Sequence, residues 1–295
     1  MTPKEAGFIL LTSHLGDPKR PVLTQHMMLT VHQAVSQARK DHPDENLSTG
    51  ELLRMGVKPD LAQRITFLMS QQQQMKDYVQ AGLDKGYVPL TPVSKHYPEL
   101  LLKRRGYSAP GCLWACGDLS IMDKPLIGSV GSRELNADGK DFARTIGEEC
   151  ARQGYGVVSG HAKGADFESE YSCIFDGGRV VTVLPCGFEV WCNDPDFLYL
   201  TEYDYDLEFT TERALSRNHT IHSMGVVTLV SQSTEGKGGT WRGTTENLKH
   251  KWSPVGCSMH SGPGNYALHA LGAKLVHYDH LYNLPKLCEM LYEGF

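Results

Sequence analysis

The chain of 295 residues lacks several things that would have pointed to a function directly. No apolar run approaches the ~20 residues of a membrane-spanning helix, and the mean hydropathy is -0.34. The opening residues hold one short apolar patch, GFILL, without the length or cleavage site of a secretory signal. A cytoplasmic protein is therefore expected. Eight cysteines are present but none forms a CxxC pair, and Cys112 and Cys116 are spaced CxxxC with no second pair at zinc-site spacing. Buried, reduced thiols and no metal are expected. There is no complete GxGxxG fingerprint and no Walker GK[ST]. Nor is there a positive balance: 29 Lys and Arg face 34 Asp and Glu, a net charge of -5, which excludes a globally basic nucleic-acid binder.

Charge is distributed unevenly, however. From Glu189 to Glu212 there are eight acids and no Lys or Arg, a stretch most simply read as solvated. From Lys237 to Lys251 four bases face one acid, Glu246, and Lys95 to Arg133 is also basic. A local basic groove is compatible with the overall sign.

Residues 1–88 read as a small helical domain. LTQHMMLTVHQAVSQARK repeats apolar residues at three- and four-residue spacing, and later short helices break at Gly56 and Pro59. GYVPLTPVSKHYPELL marks a junction, and residues 89–295 form the second domain. There, apolar strand candidates (PLIGSV, YGVVSG, RVVTVLP, VVTLVSQ, WSPVGC, AKLVHY) alternate with helical stretches, among them TERALSRNHTIHSM. This rhythm predicts an α/β fold, Rossmann-like, with a mostly parallel sheet and helices on both faces. Ligands on such sheets bind at the C-terminal strand ends.

Five segments carry the candidate binding residues. The first is Gly128, Ser129, Gly131, Ser132 and Arg133: a close, donor-rich backbone path with a guanidinium that can fork onto a phosphate. The second is Ser159, Gly160, His161, Lys163, Gly164 and Asp166. Here Lys163 supplies a mobile charge, Asp166 holds the turn or caps a helix, and His161 reads as a turn residue rather than a catalyst. Gly187 ends the strand RVVTVLP and is placed at the pocket edge. Arg217 and Asn218 could reach across the crevice. Finally Gly238, Gly239 and Thr240 open a helix whose N-terminus can hold phosphate, followed by Trp241, able to stack on a base.

Six elements then recur in one order: YPEL at residues 97–100, LWACG at 113–117, VGSR at 130–133, SGHAKGAD at 159–166, GGRVVTVLPCG at 177–187 and RNH at 217–219 before GGTWRGT. Together they resemble the DprA/Smf family of bacterial DNA-processing proteins, a group of Rossmann-like nucleotide-binding domains. The resemblance implies sequence-independent single-stranded DNA binding without catalysis. It further implies homodimerisation and a role as a recombination mediator, in DNA uptake, repair or phage-related defence, that loads a RecA-type recombinase. No cofactor is implied. By the same resemblance Arg133 and Lys163 contact the DNA backbone, while Gly128, Ser132, Ser159 and Gly164 shape the pocket. The chain departs from the pattern where His161 replaces Leu, Glu170 replaces the closing His, and His219 ends the RNR triplet. GGTWRGTTE also resembles the PGGxGTxxE motif of LOG-type nucleotide phosphoribohydrolases. That would make Arg217 and Glu246 a catalytic pair acting on an N-glycosidic bond. A sensor that binds a small nucleotide without turning it over is a third expectation.

Overall fold

A computed structural model describes residues 1–38, 48–188 and 194–295. Arg39 and Lys40 of the first long helical stretch, Glu189 at the head of the acidic stretch and Cys192 lie outside these described residues. The helices are α1 (Pro3–Thr12), α2 (Gln25–Ala38), α3 (Thr49–Arg54), α4 (Pro59–Ser70), α5 (Gln72–Asp84), α6 (Glu99–Arg105), α7 (Ala137–Arg152), α8 (Ala165–Phe175), α9 (Thr211–Ser216), α10 (Asn218–Met224), α11 (Gly238–His250), α12 (Pro263–Ala270), α13 (Tyr278–Leu281) and α14 (Leu284–Tyr292). The strands are β1 (Tyr87–Leu90), β2 (Leu113–Cys116), β3 (Leu126–Val130), β4 (Gly156–Ser159), β5 (Val180–Leu184), β6 (Phe197–Thr201), β7 (Thr228–Val230), β8 (Val255–Ser258) and β9 (Lys274–Val276). Among the described residues no helix is long and apolar enough to cross a membrane.

One sheet takes all nine strands in the order β1-β2-β6-β5-β4-β3-β7-β8-β9. From β6 to β9 every pairing is parallel; β1 and β2 add an antiparallel edge. β3, β4 and β5 are buried along their whole length, as strands covered on both faces must be. Their side chains alternate between two cores. Ile127, Val157 and Val180 join Phe142, Ile146 and Leu287 on one face. Leu126, Val158 and Val181 join Leu101, Ile221 and Leu268 on the other. The chain runs from β3 outward through β4, β5 and β6, then returns to the opposite side of β3 as β7. The order therefore reverses beside β3, which is where a doubly wound sheet opens a crevice.

Three strands escaped the sequence reading. β1 and β2 pair antiparallel and so stand outside the strand-helix alternation that marks the others. β6 lies inside the acidic stretch, yet its residues FLYLT are all buried and it is an interior strand. The acids flanking it are not simply solvated. The buried Asp204 carboxylate accepts from Ser13 Oγ at 2.7 Å and from the Gly16 N–H at 3.0 Å, pinning the loop after α1 to the sheet. Ile9 and Leu10 of α1 and Met75 and Val79 of α5 share the first core with Trp114 and Tyr205. Leu52, Ala62, Ile65 and Leu68 form a separate small cluster. TERALSRNHTIHSM, read as one helical stretch, is two helices: Arg217 is the last cap of α9 and the first of α10.

Candidate nucleic-acid interface

The crevice beside β3 is built by three chain reversals. After β3, Gly131, Ser132 and Arg133 turn toward α7. The Ser132 N–H and Oγ both donate to the Gln232 carbonyl, at 2.9 and 3.2 Å, tying this turn to the segment after β7. The Thr240 hydroxyl of α11 donates to the Gly131 carbonyl at 2.7 Å. The turn after β4 crosses beneath: Gly164, at φ +92°, packs where a Cβ would overlap the Ser132 and Arg133 carbonyls, so only glycine fits. The Ala165 N–H donates to the Ser132 carbonyl at 3.2 Å. These contacts fix the geometry of the crevice without using its outward donors.

The resulting cavity has a volume of about 870 Å³. Gly131, Ser132 and Arg133 line one wall, Asp166, Arg217 and Asn218 the floor, and Lys237, Gly238, Gly239, Thr240 and Arg242 the other wall. The N-terminus of the 13-residue α11 opens into it, with free N–H groups and a partial positive charge. Arg133 also lines two neighbouring cavities. One, of about 490 Å³, contains Gly160, His161, Gly187 and Arg217. The other, of about 650 Å³, contains Lys163 and Lys140.

Arg217 is the least satisfied group in the crevice. It is 5% exposed, and its Nε and Nη1 atoms are buried with no hydrogen-bond partner. Its Nη2 lies 4.0 Å from Asp166 Oδ2, an attraction rather than a hydrogen bond. Gly160 lies against its guanidinium, so that a Cβ there would overlap it. An Arg cannot lose its proton in a protein, and orphaned buried N–H groups are costly. An anion in the cavity that this residue lines would relieve it.

The surrounding acids temper this charge. Burial, reinforced by the Glu170 charge, pushes Asp166 up to about 6 against the pull of Arg217. Glu170 is fully buried and accepts from the His161 N–H at 3.0 Å, from His161 Nδ1 at 2.6 Å and from Thr182 Oγ1 at 3.0 Å. Burial alone would push His161 down, but the Glu170 hydrogen bond and charge, with Asp166, outweigh it and hold His161 above its ordinary value. Two of the three positions that depart from the family pattern, His161 and Glu170, are thus each other's partners. His222, also on the cavity wall, is pushed down to about 3 by burial, so it is neutral.

The structure brings together Gly131, Ser132, Arg133, Asp166, Arg217, Asn218, Gly238, Gly239 and Thr240. Gly160 and Gly187 line the adjoining cavity and Lys163 the third, on the far side of Arg133. Gly128 and Ser129 do not reach the crevice: they are buried in β3, paired with its neighbours. Ser159 is likewise internal, its hydroxyl donating to the Ser129 carbonyl at 2.7 Å. The sequence reading missed Lys237 and Arg242, although both belong to the basic stretch it noted. It also missed Phe209, an exposed ring in the acidic stretch that lines two of the cavities. Arg217 and Glu246 are not brought together. The Glu246 carboxylate is hydrogen-bonded to His219 Nε2 and to Arg242 Nε, one turn along α11 from the residues that line the crevice. Among the described residues no group of three His, Cys, Asp or Glu is arranged to hold a metal.

The profile of the DNA recombination-mediator protein A family matches residues 89–283, about two thirds of the chain. The chain belongs to that family. A DNA processing protein DprA from Bacillus subtilis is 37% identical over 97 residues, 32% of each chain. A Smf protein from Synechocystis is 32% identical over 105 residues, 34% of this chain and 26% of that one. The aligned stretch thus spans about a third or less of the curated relatives. In three dimensions the family fold extends much further. The crystal structure of DNA processing protein A from Streptococcus pneumoniae superposes with a TM-score of 0.67 at 21% identity, covering 94% of this chain and 95% of that one. That of Helicobacter pylori, described with its single-stranded DNA binding mode, gives 0.55 at 20% identity over 71% of this chain and 97% of that one.

Proposed function

We propose that the protein binds single-stranded DNA without sequence preference in the crevice beside β3, as a DprA-like recombination mediator. The observation that carries this reading is the buried Arg217 guanidinium with two unpartnered N–H donors, facing Arg133 across a cavity that the α11 N-terminus also enters. Cations and backbone donors at fixed positions suit a phosphate chain, whose charge is the same at every nucleotide. In this reading Arg133 and Arg217 hold a backbone phosphate from two sides. Thr240 and the first N–H groups of α11 offer further donors, and Lys163, Lys237 and Arg242 extend the positive track along both rims. Gly131, Ser132, Gly160, Gly164 and Gly187 shape the walls, and Gly128, Ser129 and Ser159 set the turns from within.

The reading includes a homodimer acting in the cytoplasm on DNA that is delivered to a RecA-type recombinase, with residues 1–88 as a helical unit and 89–295 as the DNA-binding one. The hydrolase reading needs Glu246 at the reacting centre, and the hydrogen bonds that tie its carboxylate to His219 and Arg242 favour the binding reading instead. The test is fluorescence anisotropy of a labelled oligo-dT across a salt series. Binding should be tight and salt-dependent in the wild type, and Arg133→Ala should weaken it and reduce the slope of log K against log salt by about one phosphate contact. Absence of binding at low salt would overturn the reading.

A further inference from the structure

α8 leaves the crevice carrying an uncovered row of rings. Its inner face, Ala165, Asp166, Ser169, Glu170 and Cys173, is buried. Its outer face presents Phe167, Tyr171 and Phe175, four residues apart and so stacked on one side of the helix. They are 49%, 41% and 91% exposed. A phenylalanine left almost wholly in water, in line with two more rings, is not a scattered surface apolar residue; such contiguous patches mark binding surfaces. Phe167 and Tyr171 contact each other at 4.3 Å between ring centroids. The row starts in the depression that Arg133, Lys140 and Lys163 line together with Phe167 and Tyr171, and at a rise of about 1.5 Å per residue it runs about 12 Å away from it.

The neighbouring α7 supplies charge along the same line. Lys140 forms an ion pair with Glu168 at 3.1 Å. One turn later the Arg144 carbonyl accepts from Ser172 Oγ at 2.9 Å. The two helices thus run side by side in register, with exposed Lys140 and Arg144 on α7 flanking Tyr171 and its neighbours on α8. Arg144, and Lys140 once it exchanges Glu168 for a phosphate, stand beside rings at one-turn intervals and match a strand whose phosphates and bases form two parallel rows. An apolar protein surface would be matched by the rings but not by the cations.

We infer that the Phe167–Tyr171–Phe175 face of α8, with Lys140 and Arg144 beside it, is a stacking track for bases of single-stranded DNA leaving the crevice. This rests on the proposed function of the crevice and adds a direction to it: the strand exits over Lys163 and along α8. Because every base has a π-face, the track is indifferent to sequence and adds affinity through ring contact rather than charge.

The test compares labelled dT4, held by the crevice alone, with dT20, long enough to reach Phe175. The proteins are the wild type, Arg133→Ala, Tyr171→Ala/Phe175→Ala and Phe175→Trp. The double variant should bind dT20 at least about 30-fold more weakly, bind dT4 as the wild type does, and lose its preference for dT20 over an abasic strand of the same length. Phe175→Trp should keep full dT20 affinity. If the double variant binds dT20 like the wild type while Arg133→Ala weakens both oligonucleotides, the track is wrong and the crevice stands. If the wild type binds neither, the crevice reading fails and the track with it.

Discussion

Replacing Arg217 by Met separates a functional guanidinium from a structural one. Met keeps the apolar stem and fills most of the volume while removing the charge and all five donors. Consider stability first. Two buried N–H groups without partners disappear, and each costs about 1–3 kcal/mol in the folded protein. Against this, Asp166 and Glu170 lose a favourable charge. Asp166 can relieve part of that loss by taking up a proton. With its pKa at about 6 even beside the arginine, neutralising it at pH 7 costs roughly 1.4 kcal/mol per pH unit. The terms nearly cancel, so thermal unfolding should shift by no more than about 1–2 kcal/mol in either direction. Binding is different. Two charge-assisted hydrogen bonds to phosphate, each contributing about 1.5–3 kcal/mol, are lost with nothing to replace them. Single-stranded DNA affinity should therefore fall at least about 100-fold. The assays are calorimetric or fluorescence melting together with anisotropy on dT20. An arginine serving only the fold would give the reverse pattern: a loss of about 3–5 kcal/mol in stability, as when a buried ion pair is broken, with the folded fraction binding DNA normally. That outcome would make Arg217 a structural residue and not a phosphate ligand.

Further expectations follow from the same geometry. Gly160→Ala places a methyl group against the Arg217 guanidinium and should cost about tenfold or more in DNA affinity while every cation is retained; unchanged binding would mean Arg217 is free to move aside. DNA affinity should rise as pH falls through about 6, because protonated Asp166 no longer competes for Arg217. Its raised folded pKa also means that its contribution to stability is fully present below the unfolded value of about 4 and is lost as pH rises through about 6. Asp166→Asn should flatten both dependences, leaving the one from His161, whose charge persists above its ordinary range. Glu246→Gln should change DNA affinity by less than about twofold, and neither form should release a free base from a panel of nucleoside monophosphates; base release by the wild type alone would restore the hydrolase assignment. Asp204→Ala removes the acceptor for Ser13 and Gly16 and should lower stability by about 2–4 kcal/mol, read by urea unfolding, with DNA affinity unchanged in the folded protein.

Strand-and-helix alternation from Leu126 onward was legible because interior parallel strands are continuous apolar runs, and β3, β4, β5 and β8 lie where those runs are. β1, β2 and β6 were not, for two reasons. β1 and β2 pair antiparallel at one end of the sheet, outside the strand-helix alternation that marks the parallel strands. In β6 the buried run FLYLT is masked by acids on both sides, one of which, Asp204, is itself buried and paired. The site divides in a similar way. Arg133, Gly238 and Thr240 announced themselves through glycine-rich turns at strand ends, where chain reversal and phosphate binding demand the same residues, and Asn218 only through the RNH triplet. Gly128 and Ser129 carry the same composition one step earlier in the strand, and the sequence cannot tell a strand interior from the turn that follows. Lys237 and Arg242 were visible as charge but not as site residues, since only folding brings the α11 N-terminus against Val130–Arg133. The aromatic row on α8 was hidden for another reason. Phe167, Tyr171 and Phe175 have the spacing of a buried stripe, and only the structure shows that the buried stripe is the other one.

A crystal structure of the protein with dT6 would show whether a backbone phosphate sits between Arg133 and Arg217. The phosphate should accept hydrogen bonds from Arg217 Nε and Nη1 and from the Arg133 guanidinium, with the α11 N-terminus facing it. A strand bound elsewhere, with both Arg217 atoms still unpartnered, would contradict that placement.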